Sequence, residues 1–476
     1  MLCISDIESV DVIVTTYHTL LAERKKHLSS PSLLYGVHWR RIILDEAHDI
    51  RDHRSATCEA ICALEATCRW AITGTPIQNR ILDLLSLFQF LRIQLSIQEP
   101  SLQAFVALLV KQYGQSDATL RLRRFLRCVM LRRSLSTITL PERRDNVRFL
   151  EFNSAEIEWY NQLKQRAWDS LALNPASGSR GCTMMTMFTH LRMVCNLGLL
   201  HQAHMVGESE RSAGVWDAMS AQESFNYLVA SGMAACKRCN LSTVSTGTDL
   251  TPPLLFPCGW LVCGSCQNGE TCHCPDSGHQ KHVAHSVSTL SSSRKGREVV
   301  KSIVGRTMPT KIKALLSDLK QHVDEEKCIV LSFWTSTLDV VEQALKERGT
   351  SCIRFDGTVE QKKRSKDLER FHSEPTIRVA LLTISCGAVG LDLTAASRAY
   401  LMEPQWNPSV EQQALARVHR MGQTRPVTTI RYIMRNTVED RVLQVQQEKR
   451  MLSELLLAES KQIPACSHED MLKSML

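Results

Sequence analysis

Short apolar runs that end in polar, chemistry-bearing residues constrain this chain most. Ile42-Ile43-Leu44 runs directly into Asp45-Glu46-Ala47-His48, and Ala71-Ile72 leads into Thr73-Gly74-Thr75-Pro76. Val12-Ile13-Val14, followed by Thr15-Thr16-Tyr17, reads as a third run of the same β type. A strand that is apolar on every residue has to be covered on both faces. That is the habit of parallel sheets flanked by helices. Ligands of such sheets bind beyond the C-terminal strand ends, which is where these polar residues fall.

A second alternating region begins at Lys327. Strands are expected at Cys328–Phe333, Cys352–Phe355, Val379–Thr383, Ala399–Met402 and Thr428–Met434. Thr335 to Arg348 reads as a helix with Leu338, Val341 and Leu345 on one face. Gly349 follows it, where a left-handed cap favours glycine. The expected fold class is α/β: two parallel-sheet lobes, the first incomplete, with other material between them. Residues 155 to 230 read as mostly helical, with Ile157, Tyr160 and Leu163 near helical spacing. Ser286 to Gly305 is rich in serine and basic residues and reads as a linker.

Charge narrows the class only mildly. A net charge of +8 over 476 residues permits nucleic-acid binding without demanding it. Arg121, Arg123, Arg124, Arg127, Arg132 and Arg133 crowd one segment, as either a phosphate-facing surface or a solvated helix face. No apolar run is long enough for a membrane-spanning helix, and Met1 to Asp6 lacks the basic start of a secretory signal. An intracellular protein is expected.

Of 18 cysteines, seven lie between Cys236 and Cys274, which in that setting points to metal rather than disulfides. Cys236-x2-Cys239 and Cys263-x2-Cys266 together make a full tetrahedral four-thiolate set for zinc. The remaining eleven cysteines are scattered and read as small buried apolar residues.

The acidic pair has a chemical reading of its own. Nucleotide hydrolysis needs one carboxylate for Mg2+ and another to orient the attacking water, and Asp45 with Glu46 at a strand end supplies both. Further on, a helix carrying Arg417 and Arg420 at i and i+3 would put two guanidiniums on one face. Such planar, permanent charges suit a transferring phosphoryl group.

These strings resemble the Swi/Snf-type helicase-like ATPases. Trp70 to Asn79 looks like motif III of that family, Asp45 to His48 like motif II, and Asp11 to Leu20 like motif Ib. Met130-Leu131-Arg132-Arg133 and Leu191 to Asn196 resemble the helical region between its lobes. Arg354-Phe355-Asp356-Gly357 resembles motif IVa, Ser385 to Thr394 motif V, and Gln413 to Gln423 motif VI. The resemblance covers about 1–200 and 305–455. It implies two RecA-like lobes with ATP and Mg2+ between them and double-stranded DNA or nucleosomes across the top. Asp45, Glu46, Arg417 and Arg420 would be catalytic, the arginines as fingers across the cleft. His48, Gly390, Asp392, Gln413 and Gln423 would line the nucleotide. Thr15, Thr16, Gln78, Asn79, Gly387, Trp406 and Asn407 would face DNA. The implied role is an ATP-driven DNA translocase in repair or chromatin, in the nucleus.

The phosphate-cradling Gly-x4-Gly-Lys-Ser/Thr loop of such ATPases occurs nowhere here. Two readings follow: a piece of a longer protein, or a protein that cannot hydrolyse ATP and serves as a RING-based ubiquitin ligase or DNA-binding scaffold with an inert motor; as it stands the chain is expected to be inactive in ATP hydrolysis.

The cysteine cluster resembles a RING finger, which the family's RING-containing branch, that of helicase-like transcription factor, inserts between the lobes. Its second zinc site would draw on Cys258, Cys272 and Cys274, with His273 or His279 as substitutes, because Trp260 stands where RING fingers have histidine. A ubiquitin-conjugating enzyme is the partner this would imply. Arg238, between the first two cysteines, departs from the usual aliphatic residue there, so a structural or docking role is equally open. The expected division is 1–150 first lobe, 151–230 helical insertion, 231–285 degenerate RING, 286–308 linker and 309–460 second lobe.

Overall fold

The computed structural model describes residues 9–27, 32–77, 83–93, 120–133, 137–173, 180–205, 217–230, 308–356, 361–388 and 390–457, with 234, 236–239, 243, 251–256, 259–267, 284–287 and 359 besides. Among these residues no helix is long and apolar enough to cross a membrane.

The first lobe holds two parallel strands, β1 (Trp39–Leu44) and β2 (Ala66–Ala71), with Ile43 opposite Trp70 and Leu44 opposite Ala71. Helix α1 (Tyr17–His27) precedes them, α2 (Ala56–Cys62) joins them and α3 (Asp83–Phe90) follows. Ser55 starts α2 by accepting from the Cys58 N–H at 3.2 Å, which satisfies one of the free donors at a helix start. Leu44, Ile61, Leu84, Leu87 and Phe90 form the core with Leu122 and Leu126. The last two lie on a helical stretch whose Arg121, Arg124 and Arg127 are exposed.

Two expectations fail in this lobe. Val12 to Val14 forms no strand, and Val12 and Val14 are 75% and 91% exposed. Nor is the sheet covered on both faces: Ile43, Trp70 and Ile72 are each about half exposed, with the Arg41 guanidinium over the Trp70 ring. Two strands bury one face against α2 and α3; on the other, Trp39 donates to the Leu34 carbonyl at 3.0 Å while Ile43 and Trp70 stay half exposed.

The second lobe is the doubly wound sheet the sequence predicts. Its strands are β3 (Arg143–Leu150), β7 (Cys328–Ser332), β8 (Cys352–Phe355), β9 (Val379–Thr383), β10 (Arg398–Leu401) and β11 (Val427–Met434). All pair in parallel, in the order β3-β11-β10-β7-β9-β8. Central β7 and β9 are buried at every residue. Alternate residues face opposite layers: Cys328 and Val330 meet Ile312, Leu338 and Leu345, while Ile329 and Leu331 meet Phe355, Phe371 and Leu415. The helix after β7 (α7) spans Thr335–Glu347, with Gly349 at φ +70° just past it, as its sequence predicts.

Strand β3 went unseen in the sequence, which placed everything to residue 150 with the first lobe. Arg143-Arg144-Asp145-Asn146-Val147-Arg148 alternates too weakly to read as a strand, because it is an exposed edge. It nevertheless pairs along its whole length with β11, as part of the second sheet.

Residues 155–230 are helical as expected, in Ser154–Leu173 (α4), Arg180–Leu197 (α5), Leu200–Met205 and Ala218–Ala230. The buried stripe of α4 is Trp159, Tyr160 and Leu163, whereas Ile157 is 46% exposed. A small three-stranded sheet, β5-β4-β6, is made by Leu254–Leu255 (β4), Leu261–Val262 (β5) and His285–Ser286 (β6). The linker reading falls mostly on 288–307, outside the described residues; its first residue, Ser286, belongs to β6.

Polar groups lock the helical region to the second lobe. Lys311, on the helix Thr310–His322 (α6), pairs with Glu439 at 2.6 Å with neither side chain exposed. Its ammonium also donates to Asn196 Oδ1 (3.1 Å) and the Met402 carbonyl (2.7 Å), so all three N–H bonds are used. Asn196 in turn donates to Glu403 at 2.6 Å. Glu156 closes the other end. It makes a reciprocal cap with Asn153 at the start of α4, and it accepts from the Thr310 N–H (3.1 Å) and hydroxyl (2.5 Å).

Candidate active site and metal centre

The acidic pair sits where β1 leaves the core. Leu44 is buried, Asp45 exposed, and Glu46 adopts the left-handed conformation, φ 46° and ψ 49°. That backbone is uncommon without glycine and is retained where surrounding contacts hold it. Here the Glu46 N–H donates to Asp45 Oδ1 at 3.0 Å, and the Ala47 N–H to the Ile72 carbonyl at 2.9 Å. His48 Nδ1 stands 3.2 Å from Glu46 Oε2 and 3.2 Å from Thr73 Oγ1. The imidazole hydrogen-bonds Thr73 in the loop after β2 and stands beside the Glu46 carboxylate. Tyr17 of α1 donates to the Asp45 carbonyl at 2.6 Å. Burial, with Asp49, Asp45 and Glu46 close by, pushes that phenol above its ordinary range, so it remains a donor.

On the second lobe, the residues after β9 and around helix Pro408–Leu415 (α8) meet. Gln423 is buried, and its amide is wholly committed. It donates to the carbonyls of Thr394 (3.1 Å), Ala396 (2.9 Å) and Val418 (3.1 Å) and accepts from the N–H groups of Thr424 and Arg425. It braces one loop against the other. Asp392 Oδ1 accepts from the Thr394 N–H and hydroxyl. Burial alone would raise that carboxyl, but the Thr394 bonds, with His372 and Arg420 nearby, hold it below the usual range. The Leu393 N–H donates to the Arg417 carbonyl at 3.1 Å.

Arg417 and Arg420 do not ride on a helix as expected. The helix stops at Leu415, and tighter bonds, Arg417 N–H to Ala414 and Val418 N–H to Leu415, turn the chain toward Gly422 at φ +100°. Both guanidiniums lie on this turn, half-buried. Gln413 is half-buried on α8, and Gly390 is exposed at φ +45°.

The positions expected to face DNA divide. Thr15 and Thr16 are exposed, and Thr16 Oγ1 caps α1 by accepting from the Thr19 N–H at 3.2 Å. Gly387 is buried, with room for a Cβ only 3.0 Å from Leu331. Trp406 is half-buried, and Asn407 caps α8 through Ser409. Gln78 and Asn79 lie outside the described residues.

Cys236, Cys239, Cys263 and Cys266 converge, their sulfurs all within 4.8 Å of one another. Hydrogen bonds among the four pull the Cys236 thiol down and push Cys263 up. A divalent ion would resolve this competition by taking all four as thiolates, so the donor set fits a structural metal. Cys258, Cys272 and Cys274 lie outside the described residues. Not every other cysteine is buried: Cys68 and Cys128 are exposed.

The cluster rests on the first lobe, which sequence reasoning missed. Leu21 of α1 and Ala60 of α2 pack with Cys236, Cys239, Phe256, Val262 and Cys266. Thr57 donates to the Cys239 carbonyl at 2.5 Å, the Ala56 N–H to the Arg238 carbonyl at 3.3 Å, and Lys25 to Cys266 Sγ at 3.6 Å. Arg238 itself bends back to the Cys266 carbonyl at 2.9 Å.

Comparison with known proteins bears on the two lobes directly. Residues 6–198 match the family model of the SNF2-related domain, and residues 310–422 that of the helicase conserved C-terminal domain. The chain belongs to the Snf2-type helicase-like ATPases. Among its relatives are the DNA repair protein rad8 of Schizosaccharomyces pombe, 30% identical over 97% of this chain and 45% of its own length, and two Arabidopsis thaliana proteins. The DNA repair protein RAD5B is 32% identical over 94% of this chain and 37% of its own, and RAD5A 32% over 93% and 46%. The chain thus spans about half or less of the relatives it matches. The C-terminal part of the Fun30 ATPase domain is a structural relative, with 16% identity and a TM-score of 0.39 over 68% of this chain and all of that one. Members of the family are DNA-dependent ATPases. The seam between the helical region and the second lobe is what the motifs did not disclose: Arg192, Asn196, Lys311, Glu403 and Glu439. Its one sequence signal was the four-residue spacing of Arg192 and Asn196 inside a string already read as family-like.

Proposed function

We propose that this chain forms the motor of a DNA-repair ATPase that moves along duplex DNA by ATP-driven opening and closing of its lobes. The observation that carries it is His48 Nδ1 standing 3.2 Å from both Glu46 and Thr73, because it sets the carboxylate read as hydrolytic beside the loop that leads to Gln78 and Asn79, which are expected to face DNA. Asp45 would hold Mg2+, which supplies charge neutralisation at the phosphates when bound. Glu46 orients the attacking water, His48 fixes the Glu46 carboxylate, and Arg417 and Arg420 stabilise the transferring phosphoryl. His48, Gly390, Asp392 and Gln413 line the nucleotide, while Gln423 serves that site indirectly by holding two loops together. Thr15, Thr16, Gln78, Asn79 and the Trp406-Asn407 loop face duplex DNA, mostly its backbone, so binding weakens steeply with salt.

The four-thiolate centre holds zinc and works as a structural module seated on the first lobe, with its Arg238 loop turned against α2. The protein acts in the nucleus.

The test is ATP turnover. A form that also carries a Gly-x4-Gly-Lys-Ser/Thr loop should show turnover stimulated by duplex DNA, falling about a hundredfold or more in Glu46→Gln and in Arg417→Ala. This chain alone should bind duplex DNA without turnover. Turnover indifferent to DNA, or to both substitutions, would overturn the assignment.

A further inference from the structure

Helix α5 grips the loop that carries Trp406 with one face. Phe188, Arg192 and Asn196 follow one another at four-residue intervals, so they line a single stripe. Phe188 stands edge-on to Trp406, ring centroids 6.5 Å apart at 89°. Arg192 donates from Nη2 to the Pro404 carbonyl at 2.8 Å, and its guanidinium lies 6.0 Å from the rings of both Trp334 and Trp406. Asn196 donates to Glu403 at 2.6 Å. Along the stripe, successive helix turns meet successive loop residues in reverse order, as a zipper does. The other side of the loop is held as well: Gln446 donates to the Gln405 carbonyl at 2.5 Å and Lys449 to that of Trp406 at 3.1 Å.

Arg192 is unusual within this stripe. It is wholly buried, and its Nε and Nη1 find no acceptor among the described residues. A buried guanidinium with one hydrogen bond is expensive unless aromatic faces and a fixed carbonyl hold it. Nothing in the hydrolytic chemistry uses it, and it lies far in sequence from both lobes' catalytic strings. Its hydrogen bond falls on Pro404 and its ring contacts on Trp406 and Trp334.

We propose that Arg192 is a positioning residue that sets the Trp406 ring for duplex DNA, so that helix α5 governs DNA engagement by the second lobe. The inference rests on the reading above that Trp406 and Asn407 face DNA. A planar, delocalised cation can lie between two rings while bonding a carbonyl, whereas lysine bonds the carbonyl and loses the stacking. Arg192→Lys is therefore the informative variant, since it keeps charge and the Pro404 bond.

The experiment measures the full chain's affinity for a short duplex by fluorescence anisotropy across salt concentrations. It compares wild type, Arg192→Lys, Arg192→Met, Trp406→Ala and the double variant Arg192→Lys/Trp406→Ala. Urea unfolding of each identifies variants that are merely unstable. Trp406→Ala should weaken binding about tenfold, Arg192→Lys several-fold, and the double variant no more than Trp406→Ala alone. The salt slope should stay unchanged, because no cationic contact to phosphate is lost. If Trp406→Ala binds normally, the DNA-facing reading of that loop fails. If Trp406→Ala weakens binding but stably folded Arg192→Lys does not, or the two effects simply add, Arg192 does not position the ring and the proposal is overturned.

Discussion

Lys311 and Glu439 form an ion pair 2.6 Å long with neither side chain exposed, between the first helix of the second lobe and its last. The ammonium's remaining protons go to Asn196 and Met402, and the carboxylate's other oxygen accepts from the Met434 N–H at 2.8 Å. Removing one partner leaves a buried charge without a counter-charge. Lys311→Met or Glu439→Gln should each cost about 3–5 kcal/mol of unfolding free energy, read by denaturant titration. Lys311→Met/Glu439→Leu should cost clearly less than the sum of its two single changes. A loss under about 1 kcal/mol for either single change would mean the pair is not closed in solution.

Gly198 sits at φ +52° directly after α5, and a Cβ there would stand 2.2 Å from Glu156 Oε1. Gly198→Ala thus meets two penalties: a left-handed alanine and displacement of the carboxylate that caps α4 and holds Thr310. Roughly 2–4 kcal/mol of destabilisation is expected in thermal or chemical unfolding. Glu156→Gln in the same background should add little, because the carboxylate is already dislodged.

Four buried thiols within 4.8 Å of one another predict about one tightly held zinc from this set, measurable by colorimetric release after thiol modification. Cys236→Ser should lose that equivalent. Because Thr57, Leu21 and Ala60 contact the cluster, metal removal should also quicken amide hydrogen exchange in Ala56–Cys62 on the first lobe. Exchange confined to 251–267 would show that the contact does not transmit stability.

Glu326 accepts from Arg398 at 3.2 Å and from Ser397 at 2.9 Å. Burial opposes its ionisation, but those bonds outweigh it and hold the carboxyl below its ordinary range. A folded value below the unfolded one means fewer protons are bound when folded. The pair's stabilisation is thus complete above about pH 4.3 and fades as pH falls through the depressed value. Glu326→Gln should be about 1 kcal/mol less stable than wild type at pH 7, and the gap should close below about pH 4. An undiminished gap at pH 3 would locate the loss in packing rather than charge.

Sequence was most legible where the chemistry needs a contiguous string. Asp45 to His48, Ser385 to Thr394 and Gln413 to Gln423 announce the family because phosphate chemistry fixes residue types at fixed spacing. Cys236, Cys239, Cys263 and Cys266 announce a set of thiols that could hold a metal for the same reason. The fully buried strands β7 and β9 were legible because burial on both faces leaves no choice but apolar residues.

What only the tertiary structure decided are the relations between distant strings. Strand β3 carries no pattern of its own, since an edge strand is defined by its neighbour β11. The helix bearing Gln413 was read through to Arg420 but ends at Leu415, because the Gln423 amide pulls the chain into a turn. Lys311 is a single cation on an apolar helix face, and only its meeting with Asn196 and Glu439 explains it. Local spacing encodes local chemistry; a buried charge finds its partner through the fold, from more than a hundred residues away.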